Sequence, residues 1–202
     1  MVHLKPPSRA FNKLTLPTVE VAVGRLFRVS RFSSREPFFG RSAGNRFDDR
    51  NPAKSKRFGT CYCGLDLEVA IAETILHDEI PDRGHFKIAY SEFSNRHLVR
   101  FEGDELVLAN LTGASLKSLA GDGSMSTITP YRLPQLWSMA IHRHPLNVDG
   151  IIYMSRHVND KKAVVIFDRA RGKINHAAHT SLPMARGALA TVVGLRISFN
   201  YW

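Results

Sequence analysis

The chain has 202 residues, 44% of them apolar and 23% charged. That composition excludes a disordered chain and permits one domain with a substantial core. No run of about 18 apolar residues offers a membrane-spanning helix. The formal net charge of +10 points to an anionic partner: nucleic acid, a phosphorylated small molecule or an acidic protein.

The first 20 residues read as an N-terminal extension, because Pro6, Pro7 and Pro17 interrupt any helix. They lack the apolar stretch of a secretory leader. Residues 24–30, GRLFRVS, read as a strand. Residues 33–57 are rich in Ser, Gly, Asn, Asp, Pro and Arg and read as a long irregular segment, which in a compact domain is commonly functional. Basic residues concentrate here. Between Arg25 and Arg57 ten of them face only Glu36, Asp48 and Asp49.

Residues 59–65, GTCYCGL, predict a short strand, with Cys61 and Cys63 on one face and Tyr62 on the other. Two cysteines one residue apart in a strand suit no ordinary disulfide, so a reducing cytoplasm is the expected location. Asp66 is the predicted N-cap of a helix from Leu67 to Glu79. That helix is apolar around most of its circumference, yet Glu73 sits within it, flanked by Val69 and Leu76. A carboxylate there is costly unless something pairs with it or uses it. A structural ion pair with Arg28 is one explanation.

Residues 85–93 and 97–103 predict strands, with a turn at EGDE. Residues 106–123 carry a weakly helical pattern, and 130–144 predict a helix with Pro130 and Pro134 at its front. Residues 149–155 and 161–168 are short apolar runs bounded by polar turns, as buried strands are. The end of the chain, GALATVVGLRISFNYW, fits either a strand pair or a short helix plus strand. Neither G-x-G-x-x-G nor G-x-x-x-x-G-K-[ST] occurs, and no regular βα rhythm is present. The expected fold class is α+β: one mixed domain around a central, largely antiparallel sheet.

Several residues in this frame suit chemistry: Arg28 in the first strand, Arg46 in GNRFDD, Tyr62, Glu73, and Ser155 at the end of a buried strand. In the order LFRVS, GNRFDD, GTCYCGLDLEVAIAETILHD and GIIYMSRH, they resemble the RES-domain toxins of RES–Xre toxin–antitoxin pairs. The most specific element is a Tyr-bearing strand followed by D-x-E-x-A-x-A-E. The name-giving Arg, Glu and Ser map to Arg28, Glu73 and Ser155. Asn45 stands where members often carry a small residue, and Phe47 where they carry an aromatic, often Trp. The pattern spans roughly residues 24–170, giving a RES-like catalytic domain at 21–175 and a C-terminal extension at 176–202.

The resemblance implies an ADP-ribosyltransferase-like fold and NAD⁺ as the substrate consumed, with no metal. It implies NAD⁺ hydrolysis, NAD⁺ phosphorolysis or ADP-ribosylation of a protein. It also implies an Xre-family antitoxin as partner, with nucleic acid engaged only through it. Glu73 would then stabilise a cationic sugar, while Arg28 and Arg46 grip the pyrophosphate. Tyr62 would stack on the nicotinamide or hold the ribose, and Ser155 would bond the carboxamide or the ribose.

Two other readings arise from the residues alone. A basic nucleic-acid-binding module accounts for the charge but leaves Glu73 unexplained. A zinc site from Cys61, Cys63, His142 and His144 lacks the usual C-x₂₋₄-C spacing. His77, one turn beyond Glu73, lies either at the pocket or at a structural helix end beside Asp78.

Overall fold

A computed structural model describes residues 4–120 and 122–200. The strands are β1 (Thr18–Val21), β2 (Phe27–Ser30), β3 (Thr60–Gly64), β4 (Phe86–Ala89), β5 (His97–Gly103), β6 (Leu106–Leu111), β7 (Gly150–Met154), β8 (Lys162–Phe167), β9 (Ile174–Ser181) and β10 (Ile197–Asn200). The α-helices are α1 (Leu67–Ala72), α2 (Tyr90–Ser94), α3 (Gly113–Ala120), α4 (Arg132–His142) and α5 (Ala188–Gly194).

Eight strands form one sheet in the order β1-β6-β7-β8-β3-β2-β5-β9. Only β6 and β7 run parallel; the other neighbours are antiparallel. The α+β class with a largely antiparallel sheet is thus what the chain adopts. A parallel pair, β4 and β10, lies apart from this sheet.

The pleat places Cys61 and Cys63 in one apolar cluster, with Val99, Phe101 and Ile166. Tyr62 packs in another, against Phe47, Tyr153 and Val165. Alternation along β3 therefore holds. Leu4, Phe11 and Leu16 join Trp137 and Ile141 of α4 in the second cluster, and Trp137 Nε1 donates to the Lys5 carbonyl at 2.8 Å. Residues 4–16 thus cover α4, and β1 caps the β6 edge of the sheet.

Three elements differ from expectation. Residues 106–111 form a strand, not a helix, because they pair with β1 on one side and β7 on the other. The helix of the weak 106–123 pattern begins only at Gly113. Residues 90–94 turn into α2 rather than extending β4. The helix after Asp66 is only six residues long, where thirteen are predicted. Its start is as expected, with Val69 N donating to Asp66 Oδ1 at 2.9 Å. Its end comes early because the bonds tighten: Glu73 N still reaches Val69 O, but Thr74 N reaches Ile71 O three residues back. Glu73 is therefore a helix C-cap residue, not a mid-helix one. Of the two readings for the chain end, the helix plus strand is realised, as α5 and β10.

Gly64, at the end of β3, seats α1. A Cβ there would lie 2.6 Å from Asp66 O and 2.8 Å from Ala70 N, so only glycine permits this approach. The seating fixes where α1 delivers Glu73.

Candidate active site

A cavity of about 460 Å³ opens beside β2, β3 and α1. Its lining includes Arg28, Arg46, Tyr62, Glu73, Tyr131 and His157. Four of the five residues singled out from sequence line it directly, and the fifth, Ser155, lies buried behind Glu73.

Glu73 is half-buried, its side chain 22% exposed. Ser155 Oγ donates to Glu73 Oε1 at 2.6 Å, and Arg156 N donates to the same oxygen at 3.2 Å. Ser155 is oriented in turn by the backbone N–H groups of His157 and Val158, which donate to its Oγ at 3.2 and 3.1 Å. One carboxylate oxygen is thus fixed, while Oε2 lies 4.0 Å from His157 Nε2. Burial pushes the His157 imidazole below its ordinary value, outweighing the opposing field of Glu73.

The ion pair between Arg28 and Glu73 does not form. Arg28 Nε donates instead to Glu36 Oε2 at 2.9 Å, and Nη1 to the Tyr62 carbonyl at 2.9 Å. The Glu36 side chain is fully buried and also accepts from Ser30 Oγ and Phe38 N. Burial opposes the charge on Arg28, but the negative field of Cys61 and Glu36 outweighs it and raises the pKa. Arg28 is a fixed cation, charge-balanced from behind.

Arg46 comes from the irregular segment. Its Nη1 donates to the Ile128 carbonyl at 2.9 Å, and its guanidinium lies 4.5 Å from the Tyr131 ring centroid. Burial lowers its pKa, with Tyr131 opposing and Arg156 adding to the effect. Asp48 holds this loop. It accepts from Ser42 Oγ, Asn45 N, Thr60 Oγ1 and the Tyr62 hydroxyl, the last at 3.1 Å. The Tyr62 hydroxyl also accepts from Phe47 N at 2.9 Å. Burial, then Asp48, push the phenol well above its ordinary value, so Tyr62 stays neutral and locks the basic loop to β3.

Glu36, Asp48 and His157 join the residues singled out from sequence. The signal for His157 is the SRH run after β7, where a fixed serine draws its neighbours into the cavity. In the sequence Glu36 and Asp48 show only as charges opposing arginines; their partners are set by chain reversals that spacing does not reveal.

The Cys–His zinc grouping is not assembled. Cys61 and Cys63 are buried within the sheet cluster. His142 stacks on Phe58 with centroids 4.0 Å apart, and His144 Nε2 meets the Leu14 carbonyl at 3.1 Å. Among the described residues, the three donors that do converge are Glu73, His77 and His157. Also among the described residues, no helix is long and apolar enough to cross a membrane.

The arrangement offers one pinned carboxylate and several guanidinium groups around a single cavity. Such a set suits a ligand that is anionic at one part and develops positive charge at another.

Comparison with known proteins bears on the fold and the family. A chain of the crystal structure of the M. tuberculosis MbcT–MbcA toxin–antitoxin complex superposes with a TM-score of 0.55 at 11% identity, covering 85% of this chain and 87% of that one. At that identity the likeness speaks to the fold. Comparison with curated proteins gives no match. The RES domain matches residues 25–185, which include β2 with Arg28, Glu73, and Ser155. The chain belongs to the RES domain family.

Proposed function

We propose that this chain is the toxin of a toxin–antitoxin pair and that it removes NAD⁺ by cleaving the nicotinamide–ribose bond. The observation that carries the reading is Glu73, with Oε1 held by Ser155 Oγ and Arg156 N and Oε2 left open to the cavity. Departure of nicotinamide leaves positive charge on the ribose, as in glycoside cleavage. A pinned carboxylate meets that charge without reorganising, and its partial burial in the cavity strengthens the attraction. Arg28 and Arg46 supply cations for the pyrophosphate in a chain without a phosphate loop. The Tyr131 ring, already under Arg46, and Tyr62 give flat surfaces for the nicotinamide or ribose.

Family membership supports NAD⁺ as the substrate, since that is what the RES resemblance implies. The fold shared with a chain of a toxin–antitoxin complex supports an antitoxin partner, which would act by covering the cavity.

The test is direct. Purified protein is incubated with NAD⁺, with and without phosphate, and products are identified by mass. Nicotinamide release is expected, with ADP-ribose or its phosphorylated counterpart naming the acceptor. Glu73→Gln is expected to lower the rate by about 10²–10³-fold, by analogy with loss of one preorganised electrostatic partner. A Gln protein that consumes NAD⁺ at the parent rate removes the carboxylate from the mechanism.

A further inference from the structure

The mechanism above leaves two histidines beside Glu73 unused. His77 follows it by one turn, in the irregular stretch after α1, and His157 follows Ser155. One ligand atom from each of Glu73, His77 and His157 lies within 4.8 Å of the other two. The imidazole centroids are 5.2 Å apart. His157 Nε2 is buried and has no hydrogen-bond partner, yet lies 4.0 Å from Glu73 Oε2. An orphaned buried nitrogen facing an open carboxylate oxygen is an unfilled requirement.

We infer that Glu73, His77 and His157 form a binding site for a zinc-type divalent cation, whose occupancy takes the carboxylate away from the substrate. The second half of that inference rests on the NAD⁺ reading; the first half does not.

The donor set decides the ion class. Two imidazoles and one carboxylate suit zinc and its neighbours, whereas magnesium and calcium need a fuller set of oxygens. Arg46 and Arg156 also line the cavity, and their field disfavours any ion held by charge alone. Three protein ligands with an open fourth position is a recurring zinc arrangement. Tetrahedral bonds of ordinary length put donors roughly 3.3 Å apart, so closure requires movements of about an ångström. His77 has that freedom. Its side chain is 39% exposed, and the Asp78 carboxylate 3.9 Å away is almost fully solvated. The Ser155 hydroxyl and Arg156 N–H already hold the other oxygen of Glu73, as outer partners of a metal ligand do.

The experiment is zinc titration of the untagged 202-residue chain against a chromogenic chelator, followed by Co²⁺ loading read in the visible spectrum. One zinc per folded chain is expected, with Co²⁺ bands of a low-coordinate nitrogen–oxygen site. His77→Gln and His157→Gln are each expected to weaken zinc at least tenfold, and Cys61→Ser to leave it unchanged. Absence of stoichiometric zinc on the parent overturns the site, and so does binding that survives both histidine changes or disappears with Cys61→Ser. For the second half, zinc is expected to suppress NAD⁺ loss by the parent, with recovery on chelation. Metal-free His77→Gln should consume NAD⁺ at the parent rate and resist zinc. Zinc bound by the parent without suppression overturns that half. A parent that never consumes NAD⁺ sinks the proposed function instead, and leaves the titration to judge the site.

Discussion

Ser155→Ala isolates the positioning of Glu73 from its charge. Ser155 is buried, and its hydroxyl makes a 2.6 Å hydrogen bond to Glu73 Oε1. A hydrogen bond to a charged group contributes about 1.5–3 kcal/mol. If the carboxylate must hold its place as the ribose becomes cationic, most of that appears in the barrier, a loss of roughly 10- to 150-fold in kcat. Arg156 N remains as a second donor to the same oxygen, which favours the lower half of that range. The change also strips an acceptor from the His157 and Val158 N–H groups. Leaving them half-buried and unpaired costs about 1 kcal/mol of stability, the lower end of the range for a lost partner. Steady-state kinetics with NAD⁺, alongside thermal melts, separate the two effects. A folded Ser155→Ala protein with kcat within twofold of the parent refutes the claim that pinning matters. The double change with Glu73→Gln should be no slower than Glu73→Gln alone, because the hydroxyl acts only through the carboxylate.

The remaining expectations concern the cations and one distant histidine. Arg46→Ala should raise KM for NAD⁺ about tenfold or more with a smaller change in kcat, since it loses a contact made before and during reaction. Arg28→Met leaves the Glu36 carboxylate buried and uncompensated; a loss of about 3 kcal/mol is expected in denaturant melts. The combined Arg28→Met, Glu36→Gln protein should recover much of that stability but not NAD⁺ affinity. His142 is held near a pKa of about 4 by burial and then by Arg169, whose Nη2 lies 2.8 Å from His142 Nε2. The unfolded chain therefore binds a proton that the native state refuses, and stability should rise with pH from about 4 to 6.5, by about 2 kcal/mol after allowing for partial exposure. His142→Gln should flatten that slope in chemical denaturation at a series of pH values.

Much of the candidate site is legible because its residues sit on short, strongly patterned elements. Asp66 announces α1, the Cys-Tyr-Cys alternation sets β3, and the apolar runs of β7 and β8 could hardly be other than buried. Where reading failed, long-range pairing overrode local pattern. The Leu, Val and Ala of β6 suit a helix, but β1 and β7 flank them and supply ladder bonds that a helix there would forfeit. Edge strand β9 contains Asn175, two alanines and two histidines, and nothing local marks it. Glu73 stood out by its apolar neighbours, but its true partner was Ser155, 82 residues on. No local rule connects them. The same holds for Arg28, whose counterion Glu36 lies across a reversal that ends in an exposed Phe32–Phe38 pair at the cavity mouth.

The cover that residues 4–21 provide has a practical corollary. Trimming the chain to the family-matched segment, which starts at residue 25, would strip β1 and uncover both the Trp137 indole and the ladder of β6. An uncapped β6 invites other copies to add strands to it. Such a shortened chain would keep its cavity but precipitate, and its inactivity would be misread as chemistry.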